Sequence, residues 1–357
     1  MYFGTPEIAV PPLRALAAAG FDVALVVTGA DKRRGRRGAP TPTPVKAAAL
    51  ELGVEVTDDP DRAATVGADL GVVVAYGRIL RRPLLERIPL VNLHFSLLPR
   101  WRGAAPVERA ILAGDTTTGV CVMAVEEGLD TGSVYARREV PIRSDATAAD
   151  LRAELTDIGS ALLVEALRSG LTDPEPQVGE TTYAAKISPA ELELHWDDPA
   201  EALPRQVRGG GAGTTRQGAR LKVHRAVAHP NQTGIGVPGS LHAALVTTGR
   251  GTLELVEVQP EGRGRVPVGS WLNGARPAHG EVLGGVAVAP GAATPDPVGR
   301  TANRPGPAAT RDRRPCPTPV GWPCRPWCAS TARAPTPTSS CPGCWRAAAF
   351  RSGTGPS

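Results

Sequence analysis

The feature that most restricts this chain is an alternation: across its first 170 residues, short apolar runs take turns with stretches of helical period. That pattern is the signature of βαβ units, in which crossover helices return the chain to add parallel strands to one sheet. Phe21–Val27 (FDVALVV), Leu70–Ala75 (LGVVVA) and Leu90–Phe95 (LVNLHF) are predicted as strands of a mostly parallel sheet. Ahead of them, residues Pro6–Ala19 read as a helix, with Thr5 placed to cap it, Pro6 at the first helical position and Gly20 ending it. Val120–Val125 and Val134–Val140 are expected as further strands, and Ala148–Arg168 as a long amphipathic helix capped by Thr147.

The pattern then changes twice. Residues 170–203 are acidic and punctuated by proline, which suggests a linker. From 204 to 285 short strands with glycine turns follow (ARLKVHRAV, GSLHAALVTTG, GTLELVEVQ), the reading of a small β-barrel or sandwich. The expected fold class is therefore α/β: a doubly wound, mostly parallel, Rossmann-like sheet over 1–180, a linker over 181–203 and an OB-like β-barrel over 204–285. Residues 286–357 are dense in Pro, Arg and Thr with no period of either kind, so a disordered low-complexity tail is expected there.

Charge misleads unless it is located. The formal net charge is +5, but the tail alone carries +7 and leaves the first 285 residues slightly acidic. A nucleic-acid partner must therefore be argued from local patches rather than from the overall balance. Cysteine is equally lopsided: Cys121 stands alone in the body, which fits a reducing compartment. The five others crowd the tail. Their spacing ends in CPGC and invites a zinc reading, but the tail has no His and the remaining spacings are not finger-like. Proline, arginine, cysteine and tryptophan scattered in this way are what out-of-frame translation of GC-rich DNA produces. No run approaches the ~20 apolar residues of a membrane span, and the start lacks the order of a signal peptide. A cytoplasmic location is expected.

The stretch VNLHFSLLPRWRGAAP (91–106) concentrates the chemistry. In a strand, residues two apart share a face, so Asn92 and His94 point one way while Val91, Leu93 and Phe95 point the other. In open α/β sheets ligands sit beyond the carboxyl ends of strands, where this pair falls. An amide donor and an imidazole there can stabilise an oxyanion and move a proton, the two needs of acyl transfer. A carboxylate would complete the set, and Asp130, in EEGLDTGSVY, is the candidate. Each feature has a plainer explanation. Asn-x-His is usually a solvated strand end, and Asp-Thr-Gly is ordinary turn chemistry.

Their company changes the odds. FGTPEIAVPPLRAL, the arginine-rich loop before PTPTPVK, VVVAYGRIL, NLHFSLLPRWRGAAPVERAILAGD and GVCVMAVEEGLDTG occur in the order and at the spacing of a known family. TYAAKIS, RLKV and LELVEVQPEGRGRV continue the match into the second domain. Over about residues 2–285 the chain resembles the methionyl-tRNA formyltransferases of the folate-dependent formyltransferase family. The resemblance implies a formyltransferase catalytic domain over 1–180 and a tRNA-binding barrel over 204–285. It implies transfer of the formyl group of 10-formyltetrahydrofolate to the α-amino group of methionyl-initiator tRNA, in support of translation initiation. Asn92, His94 and Asp130 would be the catalytic residues: Asn92 donating to the oxyanion, His94 held by Asp130 and moving a proton, Asp130 helping to take up the amine's proton. Ser96, Leu97, Leu98 and Pro99 would line the formyl-folate site, with Tyr76 and Gly77 near it. No metal is needed, no membrane is involved, and a monomer is expected.

The resemblance also bears on DKRRGRRG (31–38), which alone is simply a solvated basic loop. In the family this loop inserts against the tRNA acceptor end, which makes Arg36 the first candidate for a phosphate contact, then Arg33, Arg34 and Arg37. Lys222 in RLKV is a further candidate, although a strand lysine facing water explains it as well. Arg100 and Arg102 are expected either to face phosphate or to fix their loop through carboxylates. GGGAG (209–213) follows no apolar strand and carries no GxGxxG, so it is not a nucleotide cradle.

Three departures from the family stand out. The chain begins Met1-Tyr2-Phe3, where the family has several residues before the FGTP turn, so either the start is misassigned or a central strand loses ladder bonds; RQVRGGGAGTTRQGARLKV replaces a proline- and tryptophan-bearing turn; and the tail has no counterpart. Two other functions fit parts of the sequence: a formyl-folate enzyme acting on a small amine such as a nucleotide-linked aminosugar, and an inactive remnant of a damaged gene.

Overall fold

The computed structural model describes residues 1–33 and 38–284. The chain opens with β1 (Tyr2–Gly4), α1 (Val10–Ala18) and β2 (Val26–Val27), followed by the short antiparallel pair β3 (Lys32–Arg33) and β4 (Pro40–Thr41). Then come α2 (Pro44–Glu51), β5 (Val56–Thr57), β6 (Gly71–Val74), α3 (Arg82–Leu85) and β7 (Leu90–His94). After these, β8 (Arg102–Gly103) and α4 (Pro106–Ala113) precede β9 (Thr117–Ala124), β10 (Val134–Pro141) and α5 (Ala148–Arg168).

Seven of these strands form one sheet in the order β10-β9-β7-β6-β1-β2-β5. The five strands from β7 to β5 are parallel; β9 runs antiparallel to β7, and β10 antiparallel to β9. Both faces are covered, and alternation along the strands decides which side chain goes where. Tyr2, Val26, Val91 and Leu93 join the cluster shared with Leu13 of α1 and Leu151, Leu155 and Leu163 of α5. Phe3, Leu25, Val27 and Leu90 join the opposite cluster, with Leu84 and Ile88. This is the expected doubly wound architecture. The long helix occupies the predicted residues, and Thr147 and Asp150 exchange side-chain-to-backbone bonds in a capping box.

The first helix differs from expectation. Glu7–Ala9 form a 3-10 turn, and the α-helix begins at Val10 with Pro11 in its first turn. Thr5 does not cap it. Its hydroxyl accepts from Gly29 N (3.2 Å) and donates to Tyr76 O (3.3 Å), tying together the loops after β1, β2 and β6. Strand β2 is only two residues long, since Tyr2↔Val26 and Phe3↔Val27 are its whole register with β1 and Val26↔Val56 and Val27↔Thr57 its whole register with β5.

The second part continues through β11 (Tyr183–Ala184), α6 (Leu203–Gly209), β12 (Gly213–Arg216), β13 (Ala219–His229), β14 (Ser240–His242), β15 (Leu245–Thr247), β16 (Thr252–Pro260), β17 (Val266–Pro267), α7 (Val268–Ala275) and β18 (Glu281–Val282). Its sheet runs β12-β13-β16-β15-β14-β18, with β17 on β16. A 2.8 Å bond from Gly284 N to Thr215 O, and the bidentate pair of Arg216 with Glu281, bring the last strand back to the first. The result is the near-closed antiparallel barrel predicted, filled by Trp196, Leu221, Val223, Leu241, Leu253, Leu255 and Trp271.

Two segments behave differently from their appearance in the sequence. Residues 181–203, read as a linker, are tied down at particular points: β11 pairs with β8, Arg109 of α4 holds Glu191, and Trp196 enters the barrel core. The glycine cluster, which departs from the family turn, folds cleanly. Gly210 and Gly211 take φ of +92° and +89°, and Gly213–Arg216 then pairs with Lys222–Ala219. On the other side of α6, Gly114 ends α4 with φ +78°, and a Cβ there would lie 2.6 Å from the guanidinium carbon of Arg205. The tail over 286–357, expected to be disordered, lies outside the described residues.

Candidate active site

Strand β7 is central, flanked by β6 and β9, and delivers its two polar side chains near its carboxyl end. His94 is buried and Asn92 half-buried. Asp130 arrives from the loop between β9 and β10 in the left-handed region, with φ +50°. Its carboxylate meets both: Asn92 Nδ2 lies 3.4 Å from Oδ1, and His94 Nδ1 lies 3.6 Å from Oδ2. Gly103 N donates to Oδ2 at 2.8 Å, the shortest bond the carboxylate receives. The three residues expected to act together are thus adjacent.

The ring of His94 is held differently from expectation. Its Nε2 donates to the carbonyl of Trp101 at 2.9 Å, while Asp130 faces the other nitrogen at a longer distance. A carbonyl can only accept, so the proton on Nε2 is fixed and Nδ1 is the nitrogen free to exchange one. Trp101 is itself over-determined. It sits at φ +63°; its N–H donates to Thr182 Oγ1 (2.9 Å), its indole Nε1 to Asp115 (2.7 Å), and Arg100 stacks on its ring at 4.5 Å. A left-handed non-glycine residue costs of order 1–3 kcal/mol and persists only where its surroundings insist on it. Burial pulls the Asp115 carboxyl upward, but hydrogen bonds from Arg100 and Trp101 and the charge of Arg100 outweigh it and leave it below the usual value.

The loop after β7 is braced from inside. Ser96 is fully buried and donates to Arg100 O at 2.6 Å. Leu98 packs with Cys121, Met123 and Val134, Pro99 is buried, and Leu97 leans on Gly119, where an added Cβ would come within 2.5 Å of it. Beside these apolar residues lie an amide that can donate to an oxyanion and an imidazole and a carboxylate that can exchange protons, a combination suited to a carbonyl substrate. The ring of Tyr76 is turned into the core, edge-on to Phe3 at 5.6 Å, with no partner for its hydroxyl; Gly77 follows at φ +74°. Arg100 pairs with Asp115, and Arg102 with Gln177 (2.6 and 3.0 Å), so both arginines fix their loop. Of the basic-loop residues, Arg33 is exposed on β3, while Arg34, Arg36 and Arg37 lie outside the described residues. Lys222 is half-buried on β13, opposite Gly213 and Gln259.

Sequence reasoning missed the main-chain members of the site. The carbonyl of Trp101 and the N–H of Gly103 carry no side-chain signature, and Gln177 lies 47 residues from the aspartate it touches. A polar cavity of about 350 Å³ at the carboxyl ends of β2 and β5, lined by Thr28, Asp31, Lys46 and Thr57 among others, is separate from the trio and adjoins the start of the basic loop.

Comparison with known proteins places the chain in a family. Residues 1–167 match the family model for formyl transferase, and residues 186–276 that for the formyl transferase C-terminal domain. The chain is similar to the methionyl-tRNA formyltransferase of Symbiobacterium thermophilum, 45% identical over 298 residues, which cover 77% of this chain and 91% of that protein. The counterpart from Jannaschia sp. is 43% identical over 302 residues, covering 79% and 99%. Among solved structures, the N-formyltransferase of Helicobacter canadensis, in complex with folinic acid and dTDP-3-aminofucose, superposes with a TM-score of 0.56 at 16% identity, covering 71% of this chain and 97% of that one. At that identity the likeness is one of fold alone.

Proposed function

From the premise that this chain belongs to the methionyl-tRNA formyltransferases, we propose how its residues carry out the reaction. The enzyme formylates methionyl-tRNA. The donor in this reading is 10-formyltetrahydrofolate, and the acceptor is the α-amine of methionine on initiator tRNA. The amine attacks the formyl carbon, the carbon–nitrogen bond to the folate breaks, and the folate nitrogen leaves with a proton while the amine loses one.

Asn92 keeps one N–H free beyond its long contact with Asp130, and that hydrogen is available to the oxygen as it becomes anionic. Asp130, anchored by Gly103 N, accepts the proton shed by the attacking amine, directly or through water. His94 passes a proton through Nδ1, because Nε2 is committed to Trp101. Holding two large substrates in register supplies much of the remaining acceleration. Arg36 and its basic neighbours take the phosphates of the acceptor end, with Lys222 as a weaker contact from the barrel.

The observation that carries this reading is the meeting of Asn92 and His94 on one carboxylate. It is tested by incubating the purified full chain with the formyl donor and charged initiator tRNA, and separately with a nucleotide-linked aminosugar. Formylmethionine formed only with the tRNA supports it. Folded protein that formylates neither acceptor, or only the sugar, overturns it.

A further inference from the structure

Asp130 holds a left-handed conformation, at φ +50°, on a loop. The side chain that enforces this comes from the segment joining the two sheets. Gln177 Nε2 donates to the carbonyl of Asp130 (2.9 Å) and to that of Gly132 (2.8 Å), clasping the turn on both sides of Thr131. Its Oε1 accepts both Arg102 Nε (3.0 Å) and a terminal Arg102 nitrogen (2.6 Å). Both hydrogens and the carbonyl oxygen of the amide are used. The arginine cannot accept and the carbonyls cannot donate, so only one orientation of the amide fits.

The arrangement reaches the centre from two directions. Arg102 lies between Trp101, whose carbonyl holds His94, and Gly103, whose N–H holds the Asp130 carboxylate. Gln177 therefore ties Arg102, next to the carbonyl that fixes His94, to the turn that presents Asp130. We propose that Gln177 is a positioning residue for the formyl transfer, setting the separation of the Asp130 carboxylate from His94 and Asn92. The inference rests on the reading of Asp130 as part of the catalytic centre.

The test is a double-mutant cycle on the full chain, read by single-turnover formylation. Gln177→Ala removes all four bonds. Gln177→Glu keeps the Arg102 contact but loses both donations, and its near-identical shape guards against misfolding of the alanine variant. A misplacement of about 1 Å at a reacting group can cost of order a hundredfold in rate. The rate constant for either variant is expected to fall ten- to hundredfold, with the half-saturating concentration of formyl donor within threefold of wild type and Gln177→Glu still melting as a folded protein. In an Asp130→Asn background the same change at 177 is expected to cost less than about twofold, because coupled residues are not additive. An equal loss in both backgrounds, or no loss in the wild type, overturns the inference. An Asp130→Asn enzyme with wild-type rate overturns instead the reading of the centre on which it rests.

Discussion

His94 gives its Nε2 hydrogen to the carbonyl of Trp101, and it is Nδ1 that looks across 3.6 Å to Asp130. The two nitrogens have separate tasks, anchoring and exchange, and substitutions can separate them. Glutamine places its terminal nitrogen near the Nε2 position and can keep the Trp101 bond, but it supplies no proton acceptor at the Nδ1 position. His94→Gln is expected to fold normally and to lower kcat by about 10²–10⁴, the usual range for loss of a general acid–base group. Formylation kinetics beside a thermal melt check it; activity within threefold of wild type would remove His94 from proton transfer.

Reversing charge at Arg36 should act on one substrate only. Arg36→Glu is expected to raise KM for charged tRNA by tenfold or more and to leave KM for the formyl donor within twofold. The salt dependence of tRNA binding should become shallower by about one unit of slope, the signature of a lost phosphate contact. Unchanged tRNA affinity in a filter-binding series would move the acceptor-end contact elsewhere.

Acid should loosen the joint between α4 and the segment that follows β11. The Arg109 guanidinium, with support from the backbone and hydroxyl of Ser188, lowers the Glu191 carboxyl from the ordinary 4.5 to about 2. A carboxyl depressed in the folded state stabilises it above the unfolded value, and that stabilisation is lost as pH falls through the folded one. The difference in stability between wild type and Glu191→Gln should therefore be constant above about pH 5 and shrink between pH 4.5 and 2. Urea titrations at several pH values measure it; Glu191 is solvent-exposed, so screening keeps the effect small.

Gly119, on β9, should tolerate no side chain. A Cβ would fall 2.2 Å from the carbonyl oxygen of Arg138 and 2.5 Å from Leu97 Cδ2. Gly119→Ala is expected to cost about 1–3 kcal/mol, as overpacking does, with a lower urea midpoint at unchanged m-value. Since Leu97 belongs to the loop that positions Trp101, activity should fall as well. A neutral substitution would mean that the loop can lift off β9 at no cost.

Much of this was legible in residue order. Alternation around Asn92 and His94 was enough to place both on one strand and to send Leu93 and Phe95 to the helices. Thr147 announced the start of α5; the answering bond from Asp150 came with the structure. What stayed hidden was long-range or lay in the main chain. Thr5 looked like a helix cap because a threonine ahead of a proline usually is one, and only the approach of Gly29 and Tyr76 diverted its hydroxyl. Residues 181–203 looked like a linker because their contacts, Tyr183 with Arg102 and Glu191 with Arg109, are made with residues about 80 positions away. Local period cannot register such partners.

The bare Cα of Gly114 has a consequence of its own. With no side chain in the way, the guanidinium of Arg205 settles over the end of α4, and the helix at the threshold of the barrel beds directly onto one that starts just beyond Gly103. A methyl group at 114 would displace that guanidinium from the helix end and would sit on a backbone, at φ +78°, that L side chains seldom adopt. The seating of that cation on the helix end is thereby owed to a side chain that is missing.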